Sequence, residues 1–196
     1  MMTAVESRRD DRVSAAVVSY RPTGDGEQAD VRRLLEVLEV AEDPWSRSEP
    51  VHLTASALIV SDGGDRLLLR WHERFSRFQH VGGHGDLGES DPLAVVLREA
   101  QEETGLKDLR PVSPPAGAAG DSIIHIAVVP VPAREDEPAH EHADLRYVLE
   151  TSQPEDARPE SPSTPVRWLS WDEAFALVTE PNLRELLVRA MAVVSS

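Results

Sequence analysis

Residues 82–106 read GGHGDLGESDPLAVVLREAQEETGL, a glycine-rich turn running into a helix that carries Arg98, Glu99, Glu102 and Glu103. At about 100° per residue, Glu99, Glu102 and Glu103 fall within an arc of roughly 100°, while Leu93, Val96, Leu97, Ala100 and Thr104 occupy the other side. One side feeds a core and the other gathers negative charge. Pro92 suits the first helical turn, Ser90 or Asp91 is placed to cap it, and Gly105 is placed to end it.

Three carboxylates within one helical turn repel one another. At roughly 6 Å and an effective dielectric near 20, each pair costs up to about 3 kcal/mol, and exposure to water cuts that to a few tenths. A solvated acidic face, with Arg98 pairing Glu102 at the i, i+4 spacing, is the competing reading. The glycines argue against it. Gly82, Gly83, Gly85 and Gly88 each carry a conformational-entropy cost, and they let the backbone turn tightly with its amides or carbonyls inward. Hard divalent cations take carboxylate, carbonyl and water oxygens, with substrate phosphates completing the shell. A glycine loop facing a triple-glutamate helix supplies that set.

Outward from this segment, residues 51–60 are rich in β-formers, and Asp62-Gly63-Gly64-Asp65 separates them from Arg66–His72, which predicts a hairpin. Further strands are expected through Phe78–Val81, Ile123–Val131, Asp144–Glu150 and Val166–Leu169. Helices are expected near Trp171–Val178 and Pro181–Val194. Upstream, Val13–Tyr20 reads as a short strand, Pro22–Gly26 as a turn, and Asp30–Glu42 as an amphipathic helix capped by Asp30 and stopped by Pro44. Residues 1–12 read as disordered, residues 113–120 as a loop, and the proline-rich 152–165 as a mobile loop. Strands interleaved with a few helices indicate an α/β domain with a mixed sheet.

The 196 residues carry 35 acidic and 20 basic side chains, a formal charge of −15. That field repels nucleic-acid polymers and anionic lipid surfaces, whereas a small anionic substrate can still bind through a cation held by carboxylates. There is no cysteine, which excludes disulfides, zinc ribbons, iron–sulfur clusters and thiol nucleophiles. No signal peptide or membrane-length apolar run is visible, so a cytoplasmic location and no membrane association are expected.

The segment resembles the Nudix box of the MutT-like Nudix hydrolases: Gly, five residues, Glu, seven residues, Arg-Glu, apolar, any, Glu-Glu, any, Gly, apolar. Gly83, Glu89, Arg98, Glu99, Ala100, Glu102, Glu103, Gly105 and Leu106 match. Eight residues instead of seven lie between Glu89 and Arg98, so the placing of Glu89 is where the pattern departs. The resemblance implies a Nudix-like α/β/α sandwich with a mixed sheet over residues 51–196, preceded by an N-terminal helical extension over residues 1–50. It also implies Mg²⁺ or Mn²⁺ held by Glu102 and Glu103 near the Gly82 carbonyl, with Glu99 a water-mediated ligand or the general base. Arg98 would orient the glutamates and Glu89 would support the site.

The implied reaction is hydrolysis of a nucleoside diphosphate linked to another moiety, on a small nucleotide-derived substrate, by a monomer or homodimer. A Nudix-fold module that binds nucleotide without turnover is the alternative. An isomerase of the same fold uses a cysteine, which this chain lacks. In the family the base is sometimes an acid outside the box, for which Asp144, Glu150, Glu155 and Asp156 are candidates.

Arg70, Arg74, Arg77 and Arg146 are candidate phosphate contacts, because an acidic site needs a few cations for non-bridging oxygens. His84, inside the box, is a further candidate substrate contact, evenly weighed against an incidental role. His140 and His142 fall on one side of an extended segment, placed for a substrate phosphate or a second metal, against the plainer reading of a solvated loop.

Overall fold

The computed structural model describes residues 11–86, 89–113, 122–135 and 137–196; residues 1–10 of the expected disordered stretch, Gly88 and most of the 113–120 loop lie outside them, while Asp11 and Arg12, read as disordered, open the first helix. The chain begins with helices α1 (Asp11–Ser19) and α2 (Gly24–Val40), followed by strands β1 (Val51–Ser61), β2 (Arg66–His72), β3 (Arg77–Gln79) and β4 (Val81–Gly83). Helix α3 (Pro92–Thr104) leads to β5 (Arg110–Pro111), β6 (His125–Val131), β7 (His140–Thr151) and β8 (Val166–Ser170). Helices α4 (Trp171–Leu177) and α5 (Pro181–Val194) close the chain.

One mixed sheet organises the molecule, in the order β3-β2-β1-β7-β5, with β4 also on β1, β6 on β7 and β8 on β2. Strands β1 and β7 run parallel from Val51↔Glu141 to Ser61↔Thr151, and the other pairs are antiparallel. All eleven residues of β1 are buried, as befits a strand covered on both faces. Alternate residues serve opposite faces. Leu53, Ala55, Ala57 and Ile59 pack with Val81, Leu145, Tyr147 and residues of α1, α2 and α3, whereas Leu58 and Val60 pack with Leu67, Leu69, Val148 and the helices α4 and α5. This is an α/β sandwich of helices over a mixed sheet.

The N-terminal region departs from the sequence reading. The expected strand Val13–Tyr20 is helix α1, because Val13, Ala16, Val17 and Tyr20 are the buried positions, an i, i+3, i+4, i+7 stripe rather than an alternation. The following helix starts at Gly24, not Asp30. Thr23 precedes it, and the buried Glu27 carboxylate accepts the Thr23 N–H, so the Pro22–Gly26 segment is largely a helix start. Glu27 also accepts from Tyr20 Oη, the Ile126 N–H and Arg189 Nη1, which ties α1, α2, β6 and α5 together.

The 152–165 segment is anchored. Arg158 N–H donates to Thr104 O at 2.7 Å, Glu160 N–H to Glu103 O at 3.3 Å, and Trp168 Nε1 to Pro154 O at 2.9 Å. The segment thereby takes up carbonyls left open at the end of α3. Among the described residues no helix is long and apolar enough to cross a membrane.

Candidate active site on the glutamate-rich helix

Helix α3 is fixed at both ends by the residues expected to do so. The Asp91 side chain accepts from the N–H groups of Leu93 (3.0 Å) and Ala94 (3.5 Å), Pro92 opens the first turn, and Gly105 ends it at φ +71° with its N–H on Gln101 O. Val95, Val96 and Ala100 are buried against the sheet, which holds the acidic side over β4.

Two glycines make that approach possible. Gly82 has φ +137°, and a Cβ there would lie 2.4 Å from Ala55 O and 2.5 Å from Ser56 Cα. At Gly83 a Cβ would fall 2.6 Å from Glu99 Cδ, so the Glu99 carboxylate occupies the space a side chain would take. Gly82 N–H donates to Glu103 Oε2 at 3.0 Å, and Arg70 Nη1 lies 2.9 Å from Glu103 Oε1.

Glu103 is only 7% exposed, so it belongs to the border of the buried stripe and not to a solvated face. Burial pushes its carboxyl up to about 7, against the opposing pull of Arg70 and the Gly82 amide, with Glu99 and Glu160 adding to the rise. Burial also raises Glu99, opposed by Arg98. Glu102 is exposed, with Arg98 at 3.2 Å.

Arg98 is the hub. Its Nε donates to Glu89 Oε1 at 3.0 Å and its Nη2 to Glu89 Oε2 at 2.9 Å, a forked pairing, while Nη1 reaches Glu99 at 3.0 Å and Nη2 also donates to the His84 carbonyl at 2.9 Å. The Glu89 bond is the largest influence holding the Arg98 guanidinium charged, and it lowers the Glu89 carboxyl in return. With the additional residue between them, the Glu89 and Arg98 side chains still meet. Glu89 N–H bonds back to Asp86 O, Asp86 N–H donates to Glu89 Oε2, and the chain then passes Ser90 and the capping Asp91.

The candidate phosphate contacts are split. Arg70 stands at the glutamates, where it also reaches Glu160 at 3.3 Å. Arg74 pairs with Glu137 and Arg77 with Glu180. Arg146 is 1% exposed, and it donates to Asp144 Oδ2 at 2.7 Å and to the Asn182 carbonyl and side chain. By strand alternation Arg146 faces away from α3, on the α5 side of the sheet. Asp144 beside it accepts from Thr54, Ser56 and Arg146, and the Arg146 and His80 groups hold its carboxyl far below the usual range despite burial. A carboxylate held that low is a poor proton acceptor. Glu150 and Glu155 are engaged by Arg110 and Arg66.

Sequence reasoning did not single out Glu160, which no motif or period marks. It also passed over His52, an isolated histidine in an apolar strand, whose partners come from distant segments.

An acidic helix docked on a double-glycine strand of a mixed sheet places the molecule in the class of MutT-like α/β sandwiches. The chain belongs to the Nudix family: the NUDIX domain model matches residues 50–190. A probable DHNTP pyrophosphohydrolase of Lactococcus lactis subsp. cremoris is 31% identical over 105 residues, which span 54% of this chain and 57% of that protein. A NUDIX-family hydrolase of Clostridium perfringens superposes with a TM-score of 0.56 at 25% identity, covering 74% of this chain and 96% of the other. The dihydroneopterin triphosphate pyrophosphohydrolase of E. coli shares the fold at a TM-score of 0.53 and 15% identity, over 76% and 97% of the two chains. Members of the family typically depend on a divalent metal.

Proposed function

We propose that this chain is a Mg²⁺-dependent Nudix pyrophosphohydrolase acting on a small nucleotide-derived diphosphate, with Mn²⁺ as a workable substitute. The observation that carries the reading is the seating of Glu103. Its carboxylate is buried against the Gly82 amide, and its proton affinity is raised because the present positive partner does not offset burial and the neighbouring acids. A site that desolvates two carboxylates of one helix fits a hard divalent cation, which takes oxygen donors and would restore their charge.

Glu102 and Glu103 would hold the cation, with the Gly82 backbone beside them and Glu99 reaching it through a coordinated water. When bound, the cation neutralises diphosphate charge and lowers the pKa of a coordinated water. The protein residues do the rest. Glu99, half buried with its proton affinity raised, is suited to take a proton from the attacking water, so it is the preferred general base. Arg98 positions Glu99 and Glu102, and the fork from Glu89 keeps Arg98 in that orientation. Arg70, one side on Glu103, presents the cation nearest to the site for a non-bridging phosphate oxygen.

The family match supports assigning residues 51–196 to the hydrolase domain and residues 1–50 to an extension packed against it. The relatives named for dihydroneopterin triphosphate make that compound the first substrate to try, followed by nucleoside diphosphates bearing a second moiety. The test is release of phosphate, pyrophosphate or nucleoside monophosphate across such a panel with Mg²⁺. Turnover by the wild-type chain, reduced at least ~100-fold by Glu103→Gln, is expected, the range seen when one charge-stabilising group of a site is removed. Calorimetric binding with no turnover on any member of the panel would instead identify a nucleotide-sensing module.

A further inference from the structure

The sheet face turned away from α3 carries a second, chemically different cluster. Strand alternation and register put His52 of β1 beside His142 of β7, and bring in His84 just after β4 from the neighbouring side. Gly83 points at Glu99, so the next residue, His84, points through to the opposite face. The ring atoms of His52, His84 and His142 able to ligate a metal all lie within 4.8 Å of one another. His52 is 1% exposed, and the other two are partly buried. His140 stands next to them, with its Nε2 3.2 Å from His142 Nε2.

We propose that His52, His84 and His142 form a binding site for a borderline-soft divalent cation of the Zn²⁺ type, separate from the glutamate site across the sheet. Three observations carry this. The His52 Nε2 to His84 Nε2 separation is 3.1 Å. Zn–N bonds of 2.0–2.1 Å in a tetrahedron place neighbouring donors about 3.3 Å apart, so these two nitrogens stand close to a shared-metal spacing. His52 Nδ1 is 2.9 Å from Glu49 O, and since a carbonyl only accepts, Nδ1 carries the hydrogen and the Nε2 lone pair faces the cluster. His140 is held the same way by Pro138 O. An imidazole fixed through its far nitrogen to a backbone carbonyl is the usual support of a metal-ligating histidine. Finally, the donor set is all imidazole, which suits Zn²⁺, Ni²⁺ or Cu²⁺ and not Mg²⁺.

The site has a structural consequence. The His84 carbonyl receives Arg98 from the other face. A cation on the His84 ring therefore pins the loop that positions the arginine of the glutamate helix.

The test uses the full chain, stripped by chelator and titrated with Co²⁺. The expected result is one equivalent giving the intense visible bands of tetrahedral cobalt, displaced by stoichiometric Zn²⁺ and indifferent to excess Mg²⁺. The bands should be lost in His52→Asn and in His142→Asn, and kept in Glu103→Gln. Absence of the bands, their survival in both histidine variants, or their loss in Glu103→Gln overturns the proposal, and leaves metal-free ring-to-ring hydrogen bonds as the state of the cluster. Should the histidine variants fail to fold, X-ray absorption on the Zn²⁺-loaded wild type decides. A first shell with at least three imidazole nitrogens upholds the site, and an oxygen-dominated shell rejects it.

Discussion

Glu103 and the two glycines beneath the helix carry the finest-scale consequences. Its carboxyl titrates near 7 when folded and at the ordinary glutamate value of about 4.3 when unfolded. Between those values the folded state holds more protons than the unfolded one, so this group makes stability fall as pH rises from about 4.5 through 7. In chelator-treated protein, thermal unfolding should therefore show a loss on the order of 3–4 kcal/mol across that window. The loss should vanish in Glu103→Gln and be opposed by added Mg²⁺. A pH-independent difference between wild type and variant would contradict the assignment. The glycines separate fold from site. Gly82→Ala meets backbone at Ala55 and Ser56 at a positive φ, so loss of soluble, folded protein is expected on expression. Gly83→Ala meets only the flexible end of Glu99. Circular dichroism should show a folded Gly83→Ala chain whose turnover falls at least ~10-fold, because the carboxylate is pushed aside.

At the scale of single elements, α3 is the piece whose sequence specifies it most completely. Asp91, Pro92 and Gly105 act at its ends by local chemistry alone. Asp91→Ala removes the side-chain cap and should lower stability by about 1 kcal/mol, or roughly 2–4 °C in melting temperature for a domain of this size. The Michaelis constant should stay unchanged, since the cap bonds go to the first-turn amides of Leu93 and Ala94, and a large change in it would show that the cap also shapes the site. Helix α1 shows the opposite case. Val13–Tyr20 contains β-formers and a short apolar run, and a strand was the local reading. The helical stripe becomes decisive only because α2 and the sheet offer a surface that buries Val13, Ala16, Val17 and Tyr20 together. The 152–165 segment is similar: its prolines announce a loop, and only the open carbonyls of α3 fix where it lies.

Across the whole molecule, Glu27 connects the N-terminal helices to β6 and α5. It is 6% exposed and accepts from four donors, among them Arg189 at 2.7 Å. Glu27→Ala leaves a phenol, two amides and a partly buried guanidinium, which keeps Glu185, without that acceptor, and should destabilise by roughly 3 kcal/mol. Limited proteolysis should then cut within α1 or α2 before the rest of the chain. Resistance equal to wild type would mean that apolar packing alone holds the extension.

The sequence by itself determined the parts governed by neighbours along the chain: the β1–β2 hairpin around Asp62–Asp65, the ends of α3, the mixed α/β class and the acids of the box. Those signals are local, since periodicity, caps and turn residues act within one helical turn or hairpin. Tertiary structure decided which charges meet. Arg70 reaches Glu103 and Glu160 near the glutamates, whereas Arg146 is turned to the other face beside Asp144, because side chains two apart on a strand share a face and those one apart do not. It also assembled His52, His84 and His142 from three segments, through the parallel register of β1 and β7 and the antiparallel register of β4. Strand register is a long-range property, and no window of sequence contains it.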